Sequence, residues 1–254
     1  MMQSQSTKRS AHKGYNMTIS KNVILVIDTE TVGLEGHVYD MGWTITDKTG
    51  DIIAERNWLV QENFTNPERM MGAFYAGKTF THYAPMLQAG TISMRPWSEI
   101  VAALFADVLA YGVQTVAAYN AGFDLRVIAQ THEDLTDAQF CVFDGLQILD
   151  IWQFACETKL QQKSYARIAR ELGWVSPAGN IKTGAEFAYR FVCGDYSFIE
   201  DHTALSDAQI ETAILAECFR MKKRVPYGVV NAQPWKLVNP KAKKDPDVHG
   251  SKVA

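Results

Sequence analysis

The stretch NVILVIDTETVGL, residues 22–34, decides how this chain reads. Residues 22–28, with the apolar run Val23–Ile27 inside them, are short, β-branched and mostly apolar, which suits a central strand covered on both faces. Asp28 and Glu30 follow, one residue apart. In a strand, residues two apart share a face, roughly 6–7 Å from one another along the chain. Two carboxylates that close repel, and burial adds to the cost, unless a cation compensates them. Hard divalent cations such as Mg²⁺ take oxygen ligands of this kind. An acid pair also arises where a strand simply enters a solvated loop, so the pair needs support from elsewhere in the chain.

The rest of the chain reads outward from that strand. Residues 38–47 and 51–60 alternate or run apolar on either side of a Lys-Thr-Gly turn signal, which predicts an antiparallel hairpin. Residues 61–95 are irregular and aromatic-rich, with TNPERM (65–70) as a helix start. Residues 95–110 form an amphipathic helical pattern opened by proline. Strands are predicted at 113–120 and 143–151, each followed by a helix. Helices at 164–174 and 185–193 and a long one at 204–224 complete the domain. This order predicts an α/β fold in three layers, a mixed central five-stranded sheet flanked by helices. Ligands of such sheets gather near the strands' carboxyl ends, where Asp28 lies.

Composition narrows the class. Four cysteines lie far apart with no C-x-x-C pair, which argues against a zinc site or disulfide framework and for reduced, mostly buried thiols in a cytoplasmic protein. No apolar run approaches about 18 residues, so no membrane span is expected. The first 22 residues carry +4 and residues 222–254 carry +6, so a chain of net charge −3 has a body at −13 between them. Basic ends on an acidic body fit a cation-gathering site with tails that touch phosphates, and equally fit Lys-rich solvated tails. The expected organisation is a flexible basic tail over 1–21, a domain over 22–225 and a basic tail over 226–254.

Two further acids stand at the edges of predicted elements. In AAYNAGFDLRV, Asn120 and Asp124 bracket a strand-to-helix turn, where Asp124 also suits a helix cap and Asn120 a turn. If the two strands are neighbours, Asp124 lands beside Asp28. Asp207 heads an apolar stripe with Ile210, Ile214 and Met221, with His202 five residues earlier. Asp207 also suits the helix dipole, and a histidine beside Asp201 at a helix start also suits a structural role. Asp150 reads as the cap of the helix that follows it. Tyr75, Phe80, His82, Tyr83 and Trp97 form an aromatic set in or near the long 61–95 segment, fit for packing or for stacking on splayed bases.

Taken in order, the pattern is D-x-E, then N-x-x-x-D, then H-x-x-x-x-D. On VIDTETVGL, AAYNAGFDLRVI and DHTALSDAQIETAIL, the chain resembles the DEDDh exonucleases, the superfamily of proofreading subunits, RNase T and oligoribonuclease. The likeness spans roughly residues 22–222. It departs from the family at Val32, where a second threonine is frequent, and in the lengths of 61–95 and 174–200. The resemblance implies an RNase H-like fold and a metal-dependent 3′→5′ exonuclease releasing nucleoside 5′-monophosphates. By motif position, Asp28, Glu30, Asp124 and Asp207 would hold two divalent cations, Mg²⁺ or Mn²⁺. His202 would be the general base that deprotonates the attacking water. Thr31, Asn120 and Phe123 match positions near the substrate. The expected partner is the 3′ end of single-stranded nucleic acid, DNA favoured over RNA, with a homodimer or a polymerase partner left open. The segment 179–187 is expected to flank the substrate end. The competing readings are an inactive nucleic-acid-binding module on the same fold and an RNase H-like nuclease or recombinase without the histidine.

Overall fold

A computed structural model describes residues 22–33, 36–73 and 77–240. In chain order the elements are β1 (Ile24–Thr31), β2 (Val38–Thr46), β3 (Ile52–Val60), α1 (Gln61–Phe64), α2 (Pro67–Met71), a π-helical turn (Thr79–Tyr83), α3 (Ala84–Ala89), β4 (Ser93–Arg95), α4 (Trp97–Tyr111) and β5 (Thr115–Ala118). There follow α5 (Ala121–Thr136), β6 (Gln147–Asp150), α6 (Ile151–Glu157), α7 (Lys163–Glu171), α8 (Ala185–Cys193), α9 (Ala204–Arg220) and a short 3₁₀ turn (Pro234–Leu237).

The sheet runs β4-β3-β2-β1-β5-β6. β1 is antiparallel to β2 and parallel to β5, so it is central. This is the mixed α/β sheet flanked by helices that the element order predicts, with six strands rather than five. The additional strand is β4, three exposed residues paired in parallel with Trp58–Val60. A three-residue exposed edge carries neither alternation nor an apolar run, so only its partner defines it. The other boundaries move by a few residues. The helix expected at 95–110 begins after Pro96, which occupies the cap position, and the last helix ends at Arg220.

Burial explains the apolar run. Ile24–Ile27 are at most 1% exposed, and the strand is covered by two different cores. Leu25 and Ile27 join Met41, Trp43, Trp97, Ile100 and Leu104 on one face. Ile24 and Val26 join Leu149, Phe154, Tyr165, Ile214 and Leu215 on the other. By alternation Asp28 and Glu30 continue the second face, toward α9, and Thr29 continues the first. A third, smaller core of Tyr39, Leu59, Met70, Tyr83 and Ile92 seats the 61–95 segment against β2 and β3.

Residues beyond Pro226 continue against the domain. Tyr227 and Val238 pack on the second core, and the Asn239 side chain bonds both Ile181 N–H (2.7 Å) and Ile181 C=O (3.0 Å). Residues 1–21 and 241–254, which hold most of the basic charge expected of the tails, lie outside the described residues. Of the four cysteines, Cys156 and Cys218 are buried, whereas Cys141 and Cys193 are exposed, contrary to a mostly buried set. Among the described residues no helix is long and apolar enough to cross a membrane.

Candidate active site

Three elements deliver acids to the carboxyl end of β1. Asp28 and Glu30 come from β1 itself, and the register shifts at a bulge between Glu30 and Thr31. β5 ends at Ala118, and Asn120 then adopts a left-handed conformation (φ 74°) that turns the chain into α5. That turn places Asp124 in the first turn of α5, where its Oδ1 accepts a hydrogen bond from Thr29 Oγ1 (2.8 Å). The capping position belongs to Asn120 rather than Asp124, and the Asp124 side chain is tied to β1 through Thr29. α9 supplies Asp207 and, one turn later, Glu211, both buried. Glu211 Oε2 accepts the Tyr119 N–H (3.1 Å).

His202 precedes α9 in a left-handed conformation, φ 55°, which costs a non-glycine residue energy unless its surroundings hold it. They do. The Lys78 ammonium donates to the His202 carbonyl. Asp201 Oδ1 accepts from Thr203 N–H (3.1 Å) and Thr203 Oγ1 (3.0 Å). Asp40 Oδ2 accepts from Ala204 N–H (3.1 Å) and from Tyr83 O–H (2.8 Å). The imidazole Nδ1 lies 3.4 Å from Glu200 Oε2.

One ligand atom from each of Glu30, His202 and Asp207 falls within 4.8 Å of the others, close enough to surround one cation. Asp28 and Asp124 stand outside that trio, grouped with Glu211 by the effect of their charges on Asp28. Asp207 Oδ1 is buried, and among the described residues no donor reaches it. A buried carboxylate oxygen without a donor is costly, and a divalent cation with oxygen ligands satisfies it. The donor set therefore fits hard divalent ions.

The electrostatics agree. Burial, then the charges of Glu211, Asp124, Asp207 and Glu30, drive the Asp28 carboxyl well above the ordinary carboxylate range. Burial raises Glu30 to about 8, against the pull of Lys78. It raises Asp124 to about 7, against the Thr29 hydrogen bond. Asp207 rises to about 9 through burial and the charges of Glu200 and Glu30. Glu211 is also pushed well up, by burial and by Asp124. His202 moves the other way, lowered by burial and then by the Lys78 ammonium, which favours the neutral imidazole.

The weaker candidates separate. Thr31 ends β1, and its Oγ1 donates to the Gly33 carbonyl (2.8 Å). Phe123 packs against the first core, with the Arg126 guanidinium 5.4 Å from its ring centroid. Asp150 caps α6 through Gln153 N–H (3.0 Å), as its sequence position suggests. In the aromatic set Tyr83 and Trp97 are buried core residues, while Phe80 is exposed and His82 half-buried; Tyr75 lies outside the described residues. Segment 179–187 lines a 380 Å³ groove with Trp152 and Trp235, and Glu186 at its end accepts the Glu200 N–H (3.3 Å).

Sequence reasoning missed Glu211, Asp40, Glu200 and Lys78. Glu211 sits four residues after Asp207, on the same helix face, and that spacing is a usable signal. Asp40 is an acid inside a fully buried strand, also a usable signal. Nothing local marks Lys78, whose position depends on how the 61–95 segment folds.

No family model matches the chain, and no curated protein matches it. Among solved structures it is similar to exonuclease X in complex with 5′-overhanging duplex DNA, at 17% identity and a TM-score of 0.41, over 78% of this chain and 91% of that one. A likeness of that size carries no functional argument.

Proposed function

We propose that this chain is a metal-dependent 3′→5′ exonuclease that hydrolyses phosphodiester bonds at single-stranded 3′ ends and releases nucleoside 5′-monophosphates. The observation that carries the reading is the convergence of Asp28, Glu30, Asp124, Asp207 and His202 from three separate parts of the chain onto one strand end. A fold needs no such gathering of buried acids for its own stability. Two divalent ions, Mg²⁺ or Mn²⁺, would stabilise the attacking and leaving oxygens of an in-line displacement.

The protein's own part is to hold and to move protons. Asp28, Glu30, Asp124 and Asp207 hold the ions. His202 takes the proton of the attacking water through Nε2, because Nδ1 faces Glu200 and fixes the tautomer. The downward shift of its pKa favours the basic form. Thr31, Asn120 and Phe123 border the terminal nucleotide, and the basic ends of the chain contact phosphates. DNA is favoured over RNA.

The test uses 5′-labelled single-stranded DNA and RNA of equal length, with Mg²⁺, with Mn²⁺, and with chelator. A descending ladder that requires metal and runs faster on DNA is expected. Binding without cleavage would identify a nucleic-acid-binding module instead. Inert protein that binds no nucleic acid would sink both readings.

A further inference from the structure

We infer that Lys78 is a tethered cation that occupies the Glu30 side of the site in the ion-free protein and is displaced when a divalent ion binds. The inference rests on the reading of the acid cluster as an ion site. Lys78 comes from the 61–95 segment, outside all three acid motifs, yet it is only 9% exposed. Its ammonium lies 3.8 Å from Glu30 Oε1 and donates to the His202 carbonyl. The same Glu30 and His202 contribute to the trio whose ligand atoms lie within 4.8 Å of one another. An ion at Glu30 and Asp207 needs oxygen ligands at roughly 2.0–2.6 Å. It would then sit a few ångströms from a buried ammonium, where two cations repel strongly in a poorly screened setting.

The architecture allows the lysine to yield without unfolding its support. Lys78 directly precedes the π-helical turn Thr79–Tyr83, and π-turns recur at functional sites. Tyr83 at the far end of that turn is buried and bonded to Asp40, which also holds the start of α9. The anchor is therefore Tyr83, and the moving part is the flexible four-carbon stem of Lys78. On this reading Lys78 is a positioning residue. It steadies His202 through the backbone carbonyl and lies against Glu30 in the ion-free protein, and it sets the ion concentration at which the site fills.

The experiment is a Mn²⁺ titration followed by the electron paramagnetic resonance signal of free Mn²⁺, without nucleic acid. The full chain is compared with Lys78→Met and Lys78→Arg. Lys78→Met is expected to bind Mn²⁺ about tenfold more tightly, within the range usual for coupled sites, and Lys78→Arg to bind like wild type. Equal or weaker binding by Lys78→Met overturns the inference while leaving the ion site intact. Absence of Mn²⁺ binding in wild type and variants overturns the ion site as well. Should Lys78→Met fail to fold, the wild-type protein answers by itself. Amine acetylation read by mass spectrometry is expected to rise about threefold at Lys78 when Mg²⁺ is added, relative to the other lysines. Unchanged labelling of Lys78 in a protein that binds the ion overturns the inference.

Discussion

Asp28 shows how one side chain is placed at a cost to the protein that carries it. Its strand is held by apolar contacts on both faces, and its carboxyl meets four neighbouring acids. An amide of the same shape keeps the packing and removes the ionisation. Asp28→Asn is therefore expected to stabilise the chelator-treated protein by on the order of 1 kcal/mol, roughly 2–4 °C in a domain of this size. The same variant should lose most of the melting-temperature rise that Mg²⁺ gives wild type. A melting curve that drops without metal would show that the carboxylate is stabilising where it stands. His202 makes the complementary case, because its cost is in the backbone. His202→Ala is expected to keep the fold and to lose about 10²–10⁴ in turnover, the usual contribution of a positioned base. Near wild-type turnover across the pH range would remove His202 from the reaction.

The acids meet because α9 lies directly on β2, and one glycine permits it. A Cβ on Gly42 would stand 2.3 Å from Leu205 N and 2.5 Å from the Ala204 carbonyl carbon, so the helix start would have to shift. Overpacking of this kind costs about 1–3 kcal/mol. Gly42→Ala is expected to lower the melting temperature and to reduce turnover more than substrate affinity, since Asp207 and His202 move with the helix start. Unaltered turnover at reduced stability would show that the site tolerates the shift. Such dependence also marks what a sequence can disclose. The strand Val23–Ile27, the three spaced acid motifs and the hairpin were legible because each is a local pattern with a physical period. β4 was not, since three exposed residues become a strand only through their partner Trp58–Val60. Glu211 and Asp40 carry signals of helical spacing and of strand burial, neither of which belongs to the three acid motifs. Lys78 carried none, for its approach to Glu30 is a product of how Tyr83, Met70 and Ile92 seat the long segment on the sheet.

Gathering these acids changes how the whole molecule responds to pH. In the unfolded chain the carboxyls ionise near 4, whereas in the ion-free fold Asp124, Glu30 and Asp207 hold their protons to about 7, 8 and 9. Between those limits the native state binds more protons than the unfolded state, so stability falls as pH rises. Below about pH 4 both states are protonated and the penalty is absent; above about 9 the share of these three carboxyls is complete. A divalent ion binds only the ionised carboxylates, and it therefore returns most where the ion-free protein has lost most. In thermal melts with chelator, the melting temperature is expected to decline steadily from about pH 5 to about pH 9. The increment from Mg²⁺ should grow over the same interval, and the two curves should converge toward the acidic end. A chelated protein whose stability is flat or rises across that range would mean that the carboxyls are compensated within the fold itself. The acid cluster would then be a structural network that has no need of an ion.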